Sequence, residues 1–307
     1  MRIIFLSIAL VLLAFLACIE PERDGPYDPN NPNKPSLYGY THYYDWSPLP
    51  GASIELRQDG DIKYSTQSNS EAWFEFVEIN PGIYELYGEV EYYSPSIDTV
   101  YLYAGRNDTF DIVFDEIYLD FDNEVTGIQE PFGFTRIVGA WQIQEDNTAG
   151  DQHSIPNVYN AVHDATTDPY GLSLLRDTLE DFWMSVNIKA LTSTSNWYAG
   201  LVLRYQDEDN YYLVQYNPGG LSLMKMRNGS STQLASTSSY TFSSNAWYHI
   251  SVYLHENKIK IYVDYDEVLE KYDTSSPLYS GLAGLWVYTS EPTGSAEANF
   301  DDVHVWP

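Results

Sequence analysis

Five carboxylates bracket the second half of this 307-residue chain. Asp120, Asp122 and Glu124 alternate at its start, and Asp301 and Asp302 stand together near the C-terminus. They are hard oxygen ligands of the kind calcium prefers, six to eight at about 2.3–2.6 Å. Clustering that many carboxylates is costly unless a cation compensates. If alternate side chains simply point to solvent, no metal is needed. Asp207-Glu208-Asp209 reads as a solvated hairpin tip. A second set of residues suits sugar binding, which needs flat aromatic rings for apolar ring faces and amide, guanidinium or carboxylate groups for hydroxyls. Alternation places Arg204 with Val202, Tyr212 with Val214 and Tyr216, Trp247 with His249 and Tyr253, and Trp286 with Tyr288. On a sheet face turned to ligand, Arg204, Tyr212, Tyr216, His249, Trp286 and Tyr288 line a cleft. On the opposite face the aromatics are core. Arg204 is the leading candidate, because burying a guanidinium without a partner is expensive.

Catalytic patterns are missing. There is no G-x-S-x-G elbow, no H-E-x-x-H and no glycine-rich phosphate loop. The six histidines (His42, His153, His163, His249, His255 and His304) show no metal-ligand spacing. Inverting glycosidases place their acids on separate strands, so these absences lower the expectation of an enzyme without removing it.

The single cysteine, Cys18, closes an apolar run from Ile3 to Phe15 that follows Met1-Arg2. The run is shorter than the roughly 20 residues a bilayer-spanning helix needs and has the proportions of a secretory signal. Leu16-Ala17-Cys18 resembles the bacterial lipobox, although Phe15 replaces the usual leucine. The resemblance implies a signal peptide over 1–17 and a Cys18 whose thiol and amine carry lipid, palmitate-type acyl chains that in twos or threes anchor a protein stably. Residues 18–36 carry five prolines and no apolar periodicity. They read as an extended tether, able to reach roughly 50 Å at about 3.1 Å per residue.

Composition bounds the rest. The mature body has no cysteine, so stability must come from apolar burial. It is dense in aromatics, with 28 Tyr, 12 Phe and 8 Trp in the chain, which favours half-buried pleated surfaces and an all-β fold. A net charge of −29 repels phosphate backbones, which argues against nucleic acid. It also favours neutral over anionic glycans as partners.

Two β-modules are expected. Over 37–117, seven short strands alternate with turn signals such as Asp59-Gly60 and Asn80-Pro81-Gly82. Leu49-Pro50-Gly51-Ala52-Ser53-Ile54, Ser70-Glu71-Ala72-Trp73-Phe74-Glu75-Phe76 and Ile79-Asn80-Pro81-Gly82-Ile83-Tyr84-Glu85-Leu86 resemble the carboxypeptidase regulatory-like domain. That resemblance implies a prealbumin-like, seven-stranded β-sandwich. Ala72 stands where that family has a turn glycine. Over 118–307, eight or more meandering strands fit a two-sheet jelly roll. Ala199–Asp207 with Asn210-Tyr211-Tyr212, Trp247–Val252, Ile259–Asp264, Gly284–Tyr288 and Phe300–Val303 together resemble the concanavalin A-like lectin/glucanase superfamily. Within it they are most similar to laminin-G-type and family-66-like carbohydrate-binding modules.

This second resemblance implies that first and last strands meet, with a structural calcium held by Asp120, Asp122, Glu124, Asp301 and Asp302. Family 16 glycosidases of the superfamily carry E-x-D-x-x-E, an acid and a nucleophile about 5–5.5 Å apart. This chain lacks that spacing. The expectation is therefore a lipoprotein of the outer membrane or cell surface that displays a non-catalytic carbohydrate-binding or adhesive β-sandwich. A lipid-anchored glycoside hydrolase and a structural envelope protein are the alternatives. Membrane contact is expected through the lipid alone.

Overall fold

The computed structural model describes residues 25–43, 46–91, 93–148, 153–193 and 196–306. Cys18 and the apolar leader lie outside them. Every regular element among the described residues is a β-strand, so the all-β expectation holds. Two compact units divide them: one runs to Glu91 and takes Pro95–Phe114, and the other takes Tyr93, Ser94 and the residues from Asp115 on.

The first unit holds β1 (Ser36–Tyr43), β2 (Ser53–Gln58), β3 (Asp61–Gln67), β4 (Trp73–Phe76), β5 (Gly82–Glu89), β6 (Ser96–Leu102), β7 (Asn107–Thr109) and β8 (Ile112–Phe114). One sheet runs β3-β2-β5-β6; the other is built on β1, with β4 on one edge and β7 then β8 on the other. Alternation along β2 and β5 sends Ile54, Leu56, Tyr84 and Leu86 inward, each at most 4% exposed. They face a core completed by Leu37, Phe74, Phe76, Ile112 and Phe114. Eight strands appear where seven are expected, because Thr109–Phe114 breaks between β7 and β8. Both segments pair parallel to β1, and the chain crosses over Gly39, where a Cβ would lie 2.0 Å from the Phe110 carbonyl. Ala72 keeps the left-handed turn (φ 63°) without the glycine.

Residues 25–35 depart from the tether reading. Asn31 is buried, the Ala104 and Gly105 amides donate to the Pro26 and Asn33 carbonyls, and the Tyr27 ring lies 4.7 Å from that of Tyr103. Proline-rich chain lacks its own ladder, but here its free carbonyls accept from the β6–β7 turn, so it packs instead of extending.

The second unit contains β9 (Ile117–Leu119), β10 (Phe134–Val138), β11 (Ala140–Glu145), β12 (Asn157–Asp164), β13 (Gly171–Leu179), β14 (Phe182–Ala190), β15 (Trp197–Asp207), β16 (Asn210–Asn217), β17 (Gly220–Arg227), β18 (Ser230–Thr237), β19 (Trp247–His255), β20 (Lys258–Val263), β21 (Asp266–Tyr272), β22 (Gly281–Thr289) and β23 (Ser295–Trp306). They make a jelly-roll sandwich. A seven-stranded sheet runs β10-β13-β22-β15-β16-β17-β18, and an eight-stranded sheet runs β11-β12-β23-β14-β19-β20-β21, with β9 also on β23. First and last strands therefore pair, Leu119 opposite Val303 and Ile117 opposite Val305. Between the sheets lie Val186, Ile188, Leu201, Leu203, Val252, Ile261, Leu285 and Phe300, all fully buried.

Two bulges interrupt the alternation. On β15 the register shifts across Arg204 (φ 49°), and on β23 it shifts at Asp302 (φ 47°). Each inserts one residue and so turns the rest of its strand to the other face.

Candidate functional site

The outer face of the seven-stranded sheet carries an aromatic and aliphatic surface. Leu172 and Leu174 of β13, Trp286 of β22, Val202 of β15, and Tyr211 and Leu213 of β16 form its buried centre. Tyr170, Tyr198, Tyr205, Met224, Met226 and Tyr288 pack around them, partly exposed. Trp286 has room because its cross-strand neighbour is Gly200, which presents no side chain. Its ring stacks on Tyr288 (5.6 Å, 24°), and Tyr288 continues to Tyr198 (5.9 Å). Behind Tyr288 the His163 ring lies 5.4 Å away and nearly parallel. The Thr289 amide donates to His163 Nδ1 at 2.9 Å, so Nε2 bears the hydrogen that meets the Asp168 carbonyl. That ring is a fixed backing for Tyr288.

Tyr198 forms one wall of a depression of about 410 Å³ whose other walls are polar, including Gln215, Asn217, Ser222 and Ser236. Gln215 Nε2 donates to Ser222 Oγ at 3.2 Å. The half-buried ring of Tyr198 thus borders a cleft of amides and hydroxyls, a combination suited to polyhydroxylated ligands. β22, β15 and β16 bear no carboxylate between their ends.

Of the six residues expected in the cleft, Trp286 and Tyr288 lie on this face, Tyr288 half-buried and Trp286 buried beneath the surrounding rings (6% exposed). The other four do not. Arg204 is fully buried on the inner side, because its bulge breaks the alternation that pairs it with Val202. Its Nε donates to the Glu180 carbonyl (2.9 Å), Nη1 to the carbonyls of Glu256 (2.5 Å) and Leu278 (2.7 Å), and Nη2 to Asp181 (3.0 Å). The partners that its burial requires are thus supplied by the protein.

Tyr212 and Tyr216 share a face with Val214 as expected, but it is the core face. The Tyr212 hydroxyl donates to Asp273 at 2.7 Å and accepts from the Leu278 amide at 2.9 Å. Tyr216 is enclosed by Trp197, Phe242 and Tyr248, and complete burial raises its pKa far above the ordinary tyrosine value. Lys225 completes this end of the sandwich through Asp273 (2.6 Å) and the carbonyls of Ser275 and Ser276. His249 lies on the outer face of the other sheet, with its pKa lowered by burial.

The five acids are brought toward one another by the β9–β23 pairing. Asp301 is fully buried; its carboxylate meets His153 Nδ1 (3.3 Å), Ser154 Oγ (3.2 Å) and the Asp302 amide (2.8 Å). Burial, and then the Asp302 carboxylate, push its pKa up to about 9. Burial also raises Asp122, with Asp120 and Asp302 adding repulsion. Glu124 instead accepts from the Phe132 amide at 2.9 Å. The donor chemistry suits a hard cation, but among the described residues no three His, Cys, Asp or Glu side chains converge as metal ligands.

Residues 177–307 match the family profile of the concanavalin A-like lectin/glucanases superfamily, less than half of the chain. They carry a concanavalin A-like domain. Solved structures similar to this chain include the following three. The carbohydrate-binding module CBM66 from Bacillus subtilis is 19% identical, with 58% of this chain and 97% of that one covered and a TM-score of 0.46. The Bacillus licheniformis beta-glucanase is 13% identical (63% and 98%, TM-score 0.45). The cellulose-induced protein Cip1 is 15% identical (62% and 96%, TM-score 0.44). No curated protein matches by sequence.

Arg204→Met strands the buried Leu278 carbonyl and the part-buried carbonyls of Glu180 and Glu256, an unpaired buried group costing about 1–3 kcal/mol. A loss on the order of 3 kcal/mol is expected, which for a unit of this size lowers the melting midpoint by roughly 10 °C. Circular-dichroism melting checks this, with Tyr288→Ala as the surface control. A midpoint shift no larger than the control's would show that Arg204 is not the structural clasp described.

Proposed function

We propose that this protein displays a non-catalytic carbohydrate-binding β-sandwich at the bacterial cell surface. The carrying observation is the pair of half-buried rings Tyr288 and Tyr198, backed by the buried Trp286, beside the amide- and hydroxyl-lined depression that Tyr198 borders. The concanavalin A-like domain over 177–307 is in keeping with it, as is the lack of carboxylates along the middle of that face. A neutral polysaccharide is the partner that suits a chain of net charge −29. The first unit, read as a prealbumin-like module, spaces the binding unit from the membrane, and a lipid on Cys18 supplies the anchor.

Affinity electrophoresis of the chain against a panel of neutral and anionic polysaccharides tests the reading. Retardation by at least one neutral polysaccharide is expected, weakened roughly tenfold in Tyr288→Ala, about 1.4 kcal/mol, with no reducing ends released. Failure of every polysaccharide to retard the chain would overturn it, and sugar release would favour the hydrolase alternative. For the anchor, Cys18→Ser is expected to move the protein from the membrane fraction to the soluble exported fraction. Unchanged fractionation would remove the lipid from the proposal.

Calcium belongs to the same proposal, favoured by the buried Asp301 beside Asp302 and Asp122. A cation that binds only the native state raises the melting midpoint with its concentration. Millimolar calcium is therefore expected to stabilise the chain, chelator to reverse this, and Asp301→Asn to abolish the response. Superimposable melts with calcium and with chelator would exclude the site.

A further inference from the structure

The outer face of the eight-stranded sheet carries a separate pocket of about 440 Å³, lined by residues that include Ser185, Asn187, His249, Tyr265 and Asp302. Its polar groups are oriented by one chain of hydrogen bonds. The β23 bulge sets Asp302 on this face, where one of its oxygens accepts from the Ser154 amide (3.0 Å) and from Asn187 Nδ2 (2.8 Å). A carboxylate only accepts, so the Asn187 amide nitrogen must point to it and the amide oxygen away. That oxygen lies 2.9 Å from His249 Nδ1. Nδ1 therefore carries the hydrogen, and in the neutral ring Nε2 keeps its lone pair. Neither Nε2 of His249 nor the hydroxyl of Ser185 has a hydrogen-bond partner among the described residues.

One wall is built against local preference. Asp264 and Tyr265 form the two-residue turn between β20 and β21, both with positive φ (49° and 73°). Such turns favour Asn-Gly, and a bulky residue in the left-handed region costs about 1–3 kcal/mol. The turn is pinned by Asp264, which accepts from the His249 amide at 3.0 Å. Its effect is to hold the Tyr265 ring, 78% exposed, parallel to the His249 ring at 4.5 Å and 21°.

We propose that this pocket is a second ligand site, independent of the aromatic face of the other sheet, and that it takes one neutral, hydroxyl-rich ring such as a terminal sugar unit. The open positions are mostly acceptors (His249 Nε2 and the remaining Asp302 lone pair), with Ser185 able to do either, so the ligand must bring donors. Asp120 and Asp122 nearby repel anions. Tyr265 offers a ring for the apolar face of a pyranose or furanose, and the volume falls in the range of small-molecule clefts.

Saturation-transfer NMR on the full chain with neutral methyl glycosides, and with methylammonium as the cationic probe, tests this. At least one methyl glycoside is expected to bind, and Tyr265→Gly and His249→Ala are each expected to weaken it tenfold or more, with Tyr101→Ala, an exposed ring of the first unit, leaving it unchanged. Tyr265→Gly removes the strained side chain, so its melting midpoint should hold or rise, which separates lost binding from lost folding. Binding that is insensitive to Tyr265→Gly and His249→Ala, binding of methylammonium alone, or no binding at all would overturn the proposal. Polysaccharide retardation that depends only on Tyr288 would leave the reading of the aromatic face standing and this one refuted.

Discussion

A guanidinium cannot leave water without acceptors, and one end of the second unit is organised around supplying them to Arg204. The carbonyls of Glu180, Glu256 and Leu278 come from three separate connections, and the Asp181 carboxylate from a fourth contact. These segments are brought together because each satisfies a donor that would otherwise be buried unpaired. Tyr212 and Lys225 extend the same closure through Asp273. With no cysteine beyond Cys18, this polar clasp fastens loops that small exported domains often hold with disulfides.

The clasp has a consequence for recognition. It commits the inner side of β15 and β16 to structure, leaving the outer faces of the two sheets as the surfaces that can meet a ligand. They differ in chemistry. The seven-stranded sheet offers half-buried aromatic rings with amides and hydroxyls at one margin. The eight-stranded sheet offers a compact, acceptor-rich pocket over a bed of carboxylates, suited to a single hydroxyl-rich unit. A binder with both could engage a polysaccharide along its length and at an end.

Much of the fold was legible in advance, because it rests on short-range regularities. Alternating aromatic and β-branched residues, and turns such as Asp59-Gly60 and Asn228-Gly229, mark strands wherever one face is buried. The same logic placed Trp286 with Tyr288 and Tyr212 with Tyr216. It could not say which pair faces inward, because aromatic rings suit a core and a sugar platform equally. The packing of residues 25–35 escaped it for a related reason: a proline- and asparagine-rich segment shows no periodicity, and its order comes from partners on the turn before Asn107.

The amino-acid order alone thus specified an all-β chain, its likeness to a jelly roll, the meeting of Asp120 and Asp122 with Asp301 and Asp302 that this likeness implies, and the candidate aromatics. Tertiary structure decided the sidedness. At Arg204 and at Asp302 one extra residue enters a strand, and alternation reverses beyond it. A bulge is set by pairing with strands distant in sequence, so a period of two read along one strand cannot detect it. That inversion took Arg204 from the expected cleft into the interior. The bulge at Asp302 set that residue beside Asp301 on a single face, where its carboxylate orients Asn187 and His249.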